Sequence, residues 1–95
     1  GMSSFTYLKN LDVDYVKIDG SFVRNMASNK IDYETVKSIN NIAHSMNKQT
    51  IAEFVVDEAT RDALVGLGVN YGQGFALGYP EPLENLYSDT KLAIV

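Results

Sequence analysis

The sequence contains no cysteine, no tryptophan, only two prolines and no long apolar run. Without cysteine there are no disulfide bonds and no thiolate metal sites, a composition that suits a cytoplasmic protein. A membrane-spanning helix needs about 20 consecutive apolar residues, so we expect no membrane segment in this chain. Basic residues are scarce as well, with 8 against 12 acidic ones and no cluster of them. This distribution argues against a protein that binds DNA or RNA along its phosphates.

Three short segments of β-branched and aromatic residues have the character of strands that are covered on both faces. They comprise residues 13–18, 49–53 and 69–73, and the second is open to extension as far as residue 56. The 95 residues suffice for one small domain, and an apolar content of 45% is that of a globular protein.

Amphipathic helices are predicted between these strands. The first, with Asp32 as its expected N-cap, has apolar side chains at steps of three and four residues, namely Val36, Ile39, Ile42, Ala43 and Met46. The second is expected to begin at Asp57 and to end at Gly68, which suits a left-handed C-cap; its buried stripe is Ala63, Leu64 and Leu67. Short helical pieces are predicted within residues 3–11 and from Pro82 onward.

Strands that alternate with helices of this length indicate parallel βαβ units and therefore an α/β fold. Three parallel strands with helices on one side do not close a barrel, so we expect both edges of the sheet to stay unpaired. Such a chain is expected to complete itself by self-association as a homodimer, by exchange of elements, or by pairing with a partner segment.

Polar side chains lie at the carboxyl ends of the three strands, where α/β proteins gather functional residues. Lys17 and Asp19 are two positions apart and are expected on the same side of the first strand, while Glu53 and Gln73 end the other two. A lysine can hold a phosphate oxygen or an attacking water, and a carboxylate can bind Mg²⁺ or accept a proton. On spacing alone, solvated turn residues are the more frequent explanation of such a pattern.

Other polar residues have simpler explanations. His44, the only histidine, falls near the end of a helix, and we predict a surface or helix-dipole role for it rather than catalysis or metal binding. Asp57 and Glu58 together most simply begin a helix, because acidic groups are favourable at the positive end of its dipole.

The order of motifs along the chain resembles that of the EAL domain family. SSFTYLK at residues 3–9 and DYVKIDGSFV at residues 14–23 are similar to the family's SSFxYLK and DYxKIDGxFV signatures. IAE at residues 51–53 stands where the family has VAEGVE. YGQGF at residues 71–75, followed by LGYP at residues 77–80, resembles its Y-x-Q-G-Y/F segment and the F-S-K-P after it.

This resemblance implies that residues 1–95 are the C-terminal segment of a modified TIM barrel, a partial (β/α) barrel of about three parallel βα units. In the complete domain it implies Mg²⁺ or Mn²⁺ at the strand ends and hydrolysis of cyclic-di-GMP to pGpG by a metal-activated water. Carried over, Lys17 would hold the attacking water or a phosphate oxygen, and Glu53 would be a metal ligand or proton acceptor. Gln73 would support the same cluster and, with Asp19, is assigned to substrate binding.

Departures from the family pattern affect the expected activity. The Glu-Ala-Leu motif and the paired aspartates are absent, as are the Asn and a further Glu of the metal cage, and Phe54 and Val56 stand where the family has Gly and Glu. Asp57 lies one position too late, which on a strand points the other way. A single carboxylate, Glu53, does not hold two hard cations that each take about six oxygens. We therefore expect neither hydrolysis nor a bound metal from this chain alone.

Three functional interpretations stay open. In the first, the chain is the back half of a phosphodiesterase domain that acts in cyclic-di-GMP signalling. In the second, it is a degenerate remnant that serves as a binding or dimerisation module, which the replacements at positions 54 and 56 favour. A stable fragment with no activity is a third. The opening Gly1 and Met2 fit a native loop, the start of a shortened gene product, or a proteolytic fragment.

Overall fold

The computed structural model of the protein describes residues 14–74 and 80–83. In these residues the order of elements is β1 (Tyr15–Ile18), a single helical turn α1 (Gly20–Val23), α2 (Lys30–Ser45), β2 (Gln49–Ala52), α3 (Glu58–Leu67), β3 (Tyr71–Gly72) and β4 (Glu81–Pro82). The alternation of strands and helices confirms the predicted α/β class. No helix in the described part of the chain has the length and apolar character needed to cross a membrane.

The strands form one four-stranded sheet in the order β1–β2–β3–β4. β1 pairs parallel to β2 and β2 parallel to β3, as predicted, and helices occupy both crossovers. β4 pairs antiparallel to β3. The expectation that both sheet edges stay unpaired is therefore wrong at β3, because residues 81–82 return along its outer edge. At the other side, β1 has no second partner strand within residues 14–74 and 80–83.

The strand at Pro82 replaces a predicted helix. Pro82 pairs with Tyr71 across the β3–β4 ladder, so the prediction that a helical piece begins there is wrong. Proline lacks a backbone N–H, but β4 is an outer strand of the described sheet. Proline is acceptable there because the side of an outer strand that faces away from the sheet needs no N–H donor. The three predicted strands are shorter than expected, since β2 ends at Ala52 and β3 has only two residues. The helix predicted within residues 3–11 lies outside the described residues.

The helix ends follow from local side-chain acceptors. α2 is capped by Asn29, whose side-chain oxygen accepts a hydrogen bond from the backbone N–H of Asp32 at 3.0 Å. The prediction of Asp32 as the N-cap is therefore wrong, and Asp32 lies instead in the first turn, where its charge is favourable. α3 begins as predicted, because Asp57 accepts a bond from the Thr60 N–H at 2.7 Å. It ends at Gly68, which has a φ of 83°.

The core lies between one face of the sheet and the two long helices. Residues from β1, β2, α2 and α3 meet in a single apolar cluster: Ile18, Val23, Met26, Val36, Ala52, Val55, Leu64, Val69 and Leu83. Val36 and Ala43 are buried and Ile39 packs against the cluster, which confirms these three members of the predicted apolar stripe; Ile42 and Met46 are only half-buried. Both long helices therefore cover the same face of the sheet.

The opposite face of the sheet is less covered. The strand register places Tyr15, Lys17, Ile51 and Tyr71 on it. The rings of Tyr15 and Tyr71 meet edge to face across β2, with their centroids 6.0 Å apart. Tyr15 is nevertheless 51% exposed and Lys17 is also exposed. The prediction that the strands are covered on both faces is thus wrong for β1. We call this surface the open face of the sheet.

Candidate functional site at the carboxyl ends of the strands

The structure places the four predicted site residues at one edge of the sheet. Lys17 lies in β1 and Asp19 directly follows that strand, while Glu53 follows β2 and Gln73 follows β3. Because these three strands are parallel and adjacent, their carboxyl ends share an edge. The sequence pattern therefore predicts the location of these residues correctly, and their chemical roles stay predictions.

Asp19 is the N-cap of α1. Its Oδ1 accepts a hydrogen bond from the backbone N–H of Ser21 at 2.8 Å. This bond, followed by one with the Ser21 side chain and by the nearby positive charge of Arg24, holds the pKa of Asp19 below its ordinary value, although desolvation acts in the opposite direction. The carboxylate is exposed and ionised at neutral pH. Capping accounts for the position of Asp19 without any ligand.

Glu53 is directed at the turn between β1 and α1. Its Oε2 accepts a hydrogen bond from the backbone N–H of Gly20 at 3.3 Å, and its own N–H donates to the carbonyl of Ile18 at 3.2 Å. Glu53 is half-buried. No ion pair joins Lys17 to Asp19 or to Glu53 within the described part of the chain. The structure thus brings Glu53 to the turn at Gly20, while the Lys17 side chain lies on the open face.

A bulge at the end of β2 explains the direction of Glu53. The N–H of Gln73 donates to the Ala52 carbonyl at 2.9 Å, and the Gln73 carbonyl accepts from the Val55 N–H at 2.9 Å. A regular parallel ladder encloses one residue between two such bonds, whereas here two residues, Glu53 and Phe54, are enclosed. The additional residue bends the chain, and Phe54 takes a left-handed conformation with a φ of 58°.

Phe54 packs across this edge of the sheet. Its ring lies against Gly20, so closely that a β-carbon on Gly20 would overlap it. The guanidinium of Arg24 lies over the same ring, 5.3 Å from its centroid, which is a cation–π distance. The sequence pattern marks Phe54 only as a replacement of a family glycine. That glycine was the available signal, because it indicates a backbone position with positive φ.

The described residues do not form a metal centre of their own. Among residues 14–74 and 80–83, no group of three or more His, Asp, Glu or Cys side chains is placed to hold a metal ion. Asp57, the next acid after position 56, caps α3 with its carboxylate, which accepts from the Thr60 N–H. Val56, at the replaced position, is 37% exposed.

His44 belongs to a buried polar network rather than to this edge of the sheet. It lies in the last turn of α2, as predicted, but its ring is half-buried and its Nε2 lies 2.8 Å from Oδ1 of Asn70. The same oxygen accepts from the backbone N–H of Thr50 at 2.8 Å. The Thr50 hydroxyl donates to Oδ1 of Asn40, whose amide donates to the carbonyl of Leu67. We call His44, Asn40, Thr50 and Asn70 the polar network; it joins α2, β2, the end of α3 and the approach to β3.

The motif order has a direct counterpart among known families. A family model described as the EAL domain matches residues 1–80. The chain belongs to the EAL domain family.

Relatives of this EAL chain are much longer than the chain itself. It is 47% identical to the cyclic di-GMP phosphodiesterase PdeB of Shewanella oneidensis over 98% of its own length, but it spans only 11% of that protein. The PaMucR phosphodiesterase in complex with c-di-GMP has a TM-score of 0.72 and 39% identity, covering 90% of this chain and 34% of that one. The EAL domain of Mycobacterium smegmatis DcpA has a TM-score of 0.72 and 35% identity, covering 99% and 41%.

Proposed function

We propose that this chain is the C-terminal segment of a cyclic-di-GMP phosphodiesterase domain of EAL type and does not hydrolyse the dinucleotide without the rest of that domain. The observation that carries this proposal is the EAL match over residues 1–80 in a chain that spans only 11% of the phosphodiesterase PdeB. In this proposal residues 1–95 form part of a (β/α) barrel of TIM type. The parallel β1–β2–β3 unit with its crossover helices supports that assignment.

Each predicted site residue has a proposed role in the intact domain. Lys17 holds the attacking water or a phosphate oxygen, and its exposed position on the open face supports this role. Glu53 is a metal ligand or proton acceptor. Gln73 and Asp19 support binding of the dinucleotide. The common edge of β1, β2 and β3 brings these residues within one region, as a single substrate requires.

The described residues do not fit the two Mg²⁺ or Mn²⁺ ions of the complete family site. Such ions each take about six oxygen ligands. Of the two carboxylates predicted for this site, Asp19 caps α1 and Glu53 accepts a hydrogen bond from Gly20 on one oxygen. No step of hydrolysis is therefore assigned to this chain alone, and further oxygen ligands have to come from other parts of the domain.

A hydrolysis assay tests the proposal. The purified 95-residue chain and the full-length protein encoded by its gene are each incubated with cyclic-di-GMP and Mg²⁺ or Mn²⁺, and pGpG is quantified by chromatography. We expect product from the full-length protein, a reduced but measurable amount from its Glu53→Gln variant, and none from the chain alone. Turnover by the isolated chain would refute the proposal.

A degenerate EAL remnant that acts as a binding or dimerisation module is the second candidate. The outer edge of β1 and the exposed apolar side chains of Tyr15 and Val56 favour it, because self-association would cover them. This candidate predicts a homodimer in light scattering at micromolar concentration. It also predicts that the full-length protein does not hydrolyse cyclic-di-GMP, whether or not it binds the dinucleotide. A clean monomer would count against it.

A further inference from the structure

The contact between Phe54 and Gly20 joins the carboxyl ends of β1 and β2. A β-carbon placed on Gly20 would overlap Cδ2 of the ring and would lie only 3.0 Å from its Cε2 and Cγ atoms. Ordinary side-chain contacts are longer, so no residue larger than glycine fits beneath this ring. Gly20 is buried, and the residue before it, Asp19, caps α1.

Phe54 adopts a backbone conformation that is unfavourable for a residue with a β-carbon. Its φ of 58° follows from the bulge, in which Ala52 and Val55 both bond to Gln73. Such conformations persist only where the surrounding structure over-determines them, and they gather at functional sites. Here the ring contact with Gly20 and the guanidinium of Arg24 at 5.3 Å supply that support.

We propose that Phe54 is a positioning residue for Glu53. The ring fixes the turn at Gly20, and the Gly20 N–H is the group that donates to Oε2 of Glu53 at 3.3 Å. With one carboxylate oxygen held, the direction of the other is fixed as well. Phe54 therefore acts on Glu53 through Gly20, without contacting substrate itself. The effect on hydrolysis rests on the proposed function, whereas the effect on the position of Gly20 does not.

Hydrogen exchange in the full-length protein tests the position of Gly20. In Phe54→Gly we expect peptides that contain Gly20 to exchange roughly tenfold faster than in the wild type, since the ring no longer holds the turn. Phe54→Tyr keeps the ring and is expected to retain the wild-type rate. An unchanged rate in Phe54→Gly would overturn the proposal.

A double-mutant cycle that adds a β-carbon at Gly20 tests the contact between Gly20 and Phe54 in a second way. Gly20→Ala is expected to lower the thermal midpoint in the wild type and to lose most of that effect in the Phe54→Gly background, because contacting residues couple. Gly66→Ala is the matched control, since a β-carbon there meets nothing within 4 Å. An equal loss from Gly20→Ala in both backgrounds would contradict the proposed contact.

Kinetics separate positioning from a general structural role. Phe54→Gly is expected to lower kcat for cyclic-di-GMP roughly tenfold with KM changed less than about twofold. In the Glu53→Gln background the same replacement is expected to cause no additional loss in kcat or in binding of the dinucleotide. An additional loss of equal size there would show that Phe54 does not act through Glu53. If the wild type neither hydrolyses nor binds cyclic-di-GMP, the proposed function fails, and the exchange experiment still decides whether Phe54 positions Gly20.

Discussion

Replacement of Thr50 by valine measures what the polar network contributes to stability. Thr50 is fully buried, and its hydroxyl donates to Oδ1 of Asn40 at 2.5 Å and accepts from the N–H of Asn70 at 3.3 Å. Valine has nearly the same shape but no hydroxyl. The variant therefore keeps the packing of β2 and removes the hydrogen bonds.

The expected loss of stability follows from the burial of Asn40, which keeps no hydrogen-bond donor for its side-chain oxygen in the variant. Asn40 is 1% exposed, so water does not reach its side-chain oxygen once the hydroxyl is gone. A buried polar group left without a partner costs about 1–3 kcal/mol, and we expect Thr50→Val to lower the free energy of unfolding by about 2 kcal/mol. A chain of this size has a total stability of about 5–15 kcal/mol. The loss corresponds to a decrease in Tm of roughly 10 °C.

Thermal and urea unfolding of the chain, followed by circular dichroism, measures this loss. Thr35→Val is the matched control, since the Thr35 hydroxyl bonds the carbonyl of Ile31 within α2 and is not part of the polar network. We expect the control to change stability by no more than about 0.5 kcal/mol. Thr50→Val and Asn40→Leu together should cost less than the two single replacements added. A Thr50→Val variant as stable as the control would refute the reasoning.

Three further replacements test local features. Asn47 has a φ of 59°, a conformation that strains a β-branched residue. Asn47→Val is therefore expected to lower the free energy of unfolding by about 1–2 kcal/mol, while Asn47→Gly does not lower it. Equal urea midpoints for the two variants would contradict this prediction. Asp57→Ala removes the acceptor of the Thr60 N–H and is expected to cost about 1 kcal/mol in urea unfolding; Asp62→Ala, on the exposed side of α3, is its control. The hydrogen bond from the Ser21 N–H lowers the pKa of Asp19 in the folded chain. Its charge therefore stabilises the fold above the pKa of the unfolded chain, and the contribution is lost as pH falls through the folded pKa. The difference in Tm between wild type and Asp19→Asn should accordingly be present at neutral pH and vanish in strong acid; a difference independent of pH would contradict it.

A helix end was predictable from the sequence where only one nearby residue was suited to cap it. Asp57 supplies a side-chain acceptor before an apolar period, and Gly68 lacks the β-carbon that a left-handed residue would strain. At the start of α2 the signals compete, because Asn29 and Asp32 are both good caps three residues apart. In the structure Asn29 is the acceptor and Asp32 supplies the N–H, and nothing local distinguishes that arrangement from its alternative.

Contacts between distant segments were beyond local prediction. The common edge of Lys17, Glu53 and Gln73 was predictable, since it follows from parallel strands alone. The packing of Phe54 on Gly20 depends on a bulge, and a bulge appears only once β2 and β3 are paired. The return of Pro82 along β3 likewise depends on pairing across the sheet, and a two-residue strand has no periodicity to detect.

The polar network also determines the register in which β2 and β3 pair. β2 and β3 share only two residue pairs, too few for apolar packing alone to distinguish neighbouring alignments. A shift by one residue would exchange the faces of all side chains in β3, and it would move the Asn70 side chain away from Thr50 and leave the Thr50 N–H without its acceptor. The network thus excludes misaligned sheets that hydrophobic burial would tolerate. Its loss should consequently appear as several coexisting conformations, visible as multiple amide resonances for residues near β3, in addition to a lower melting temperature.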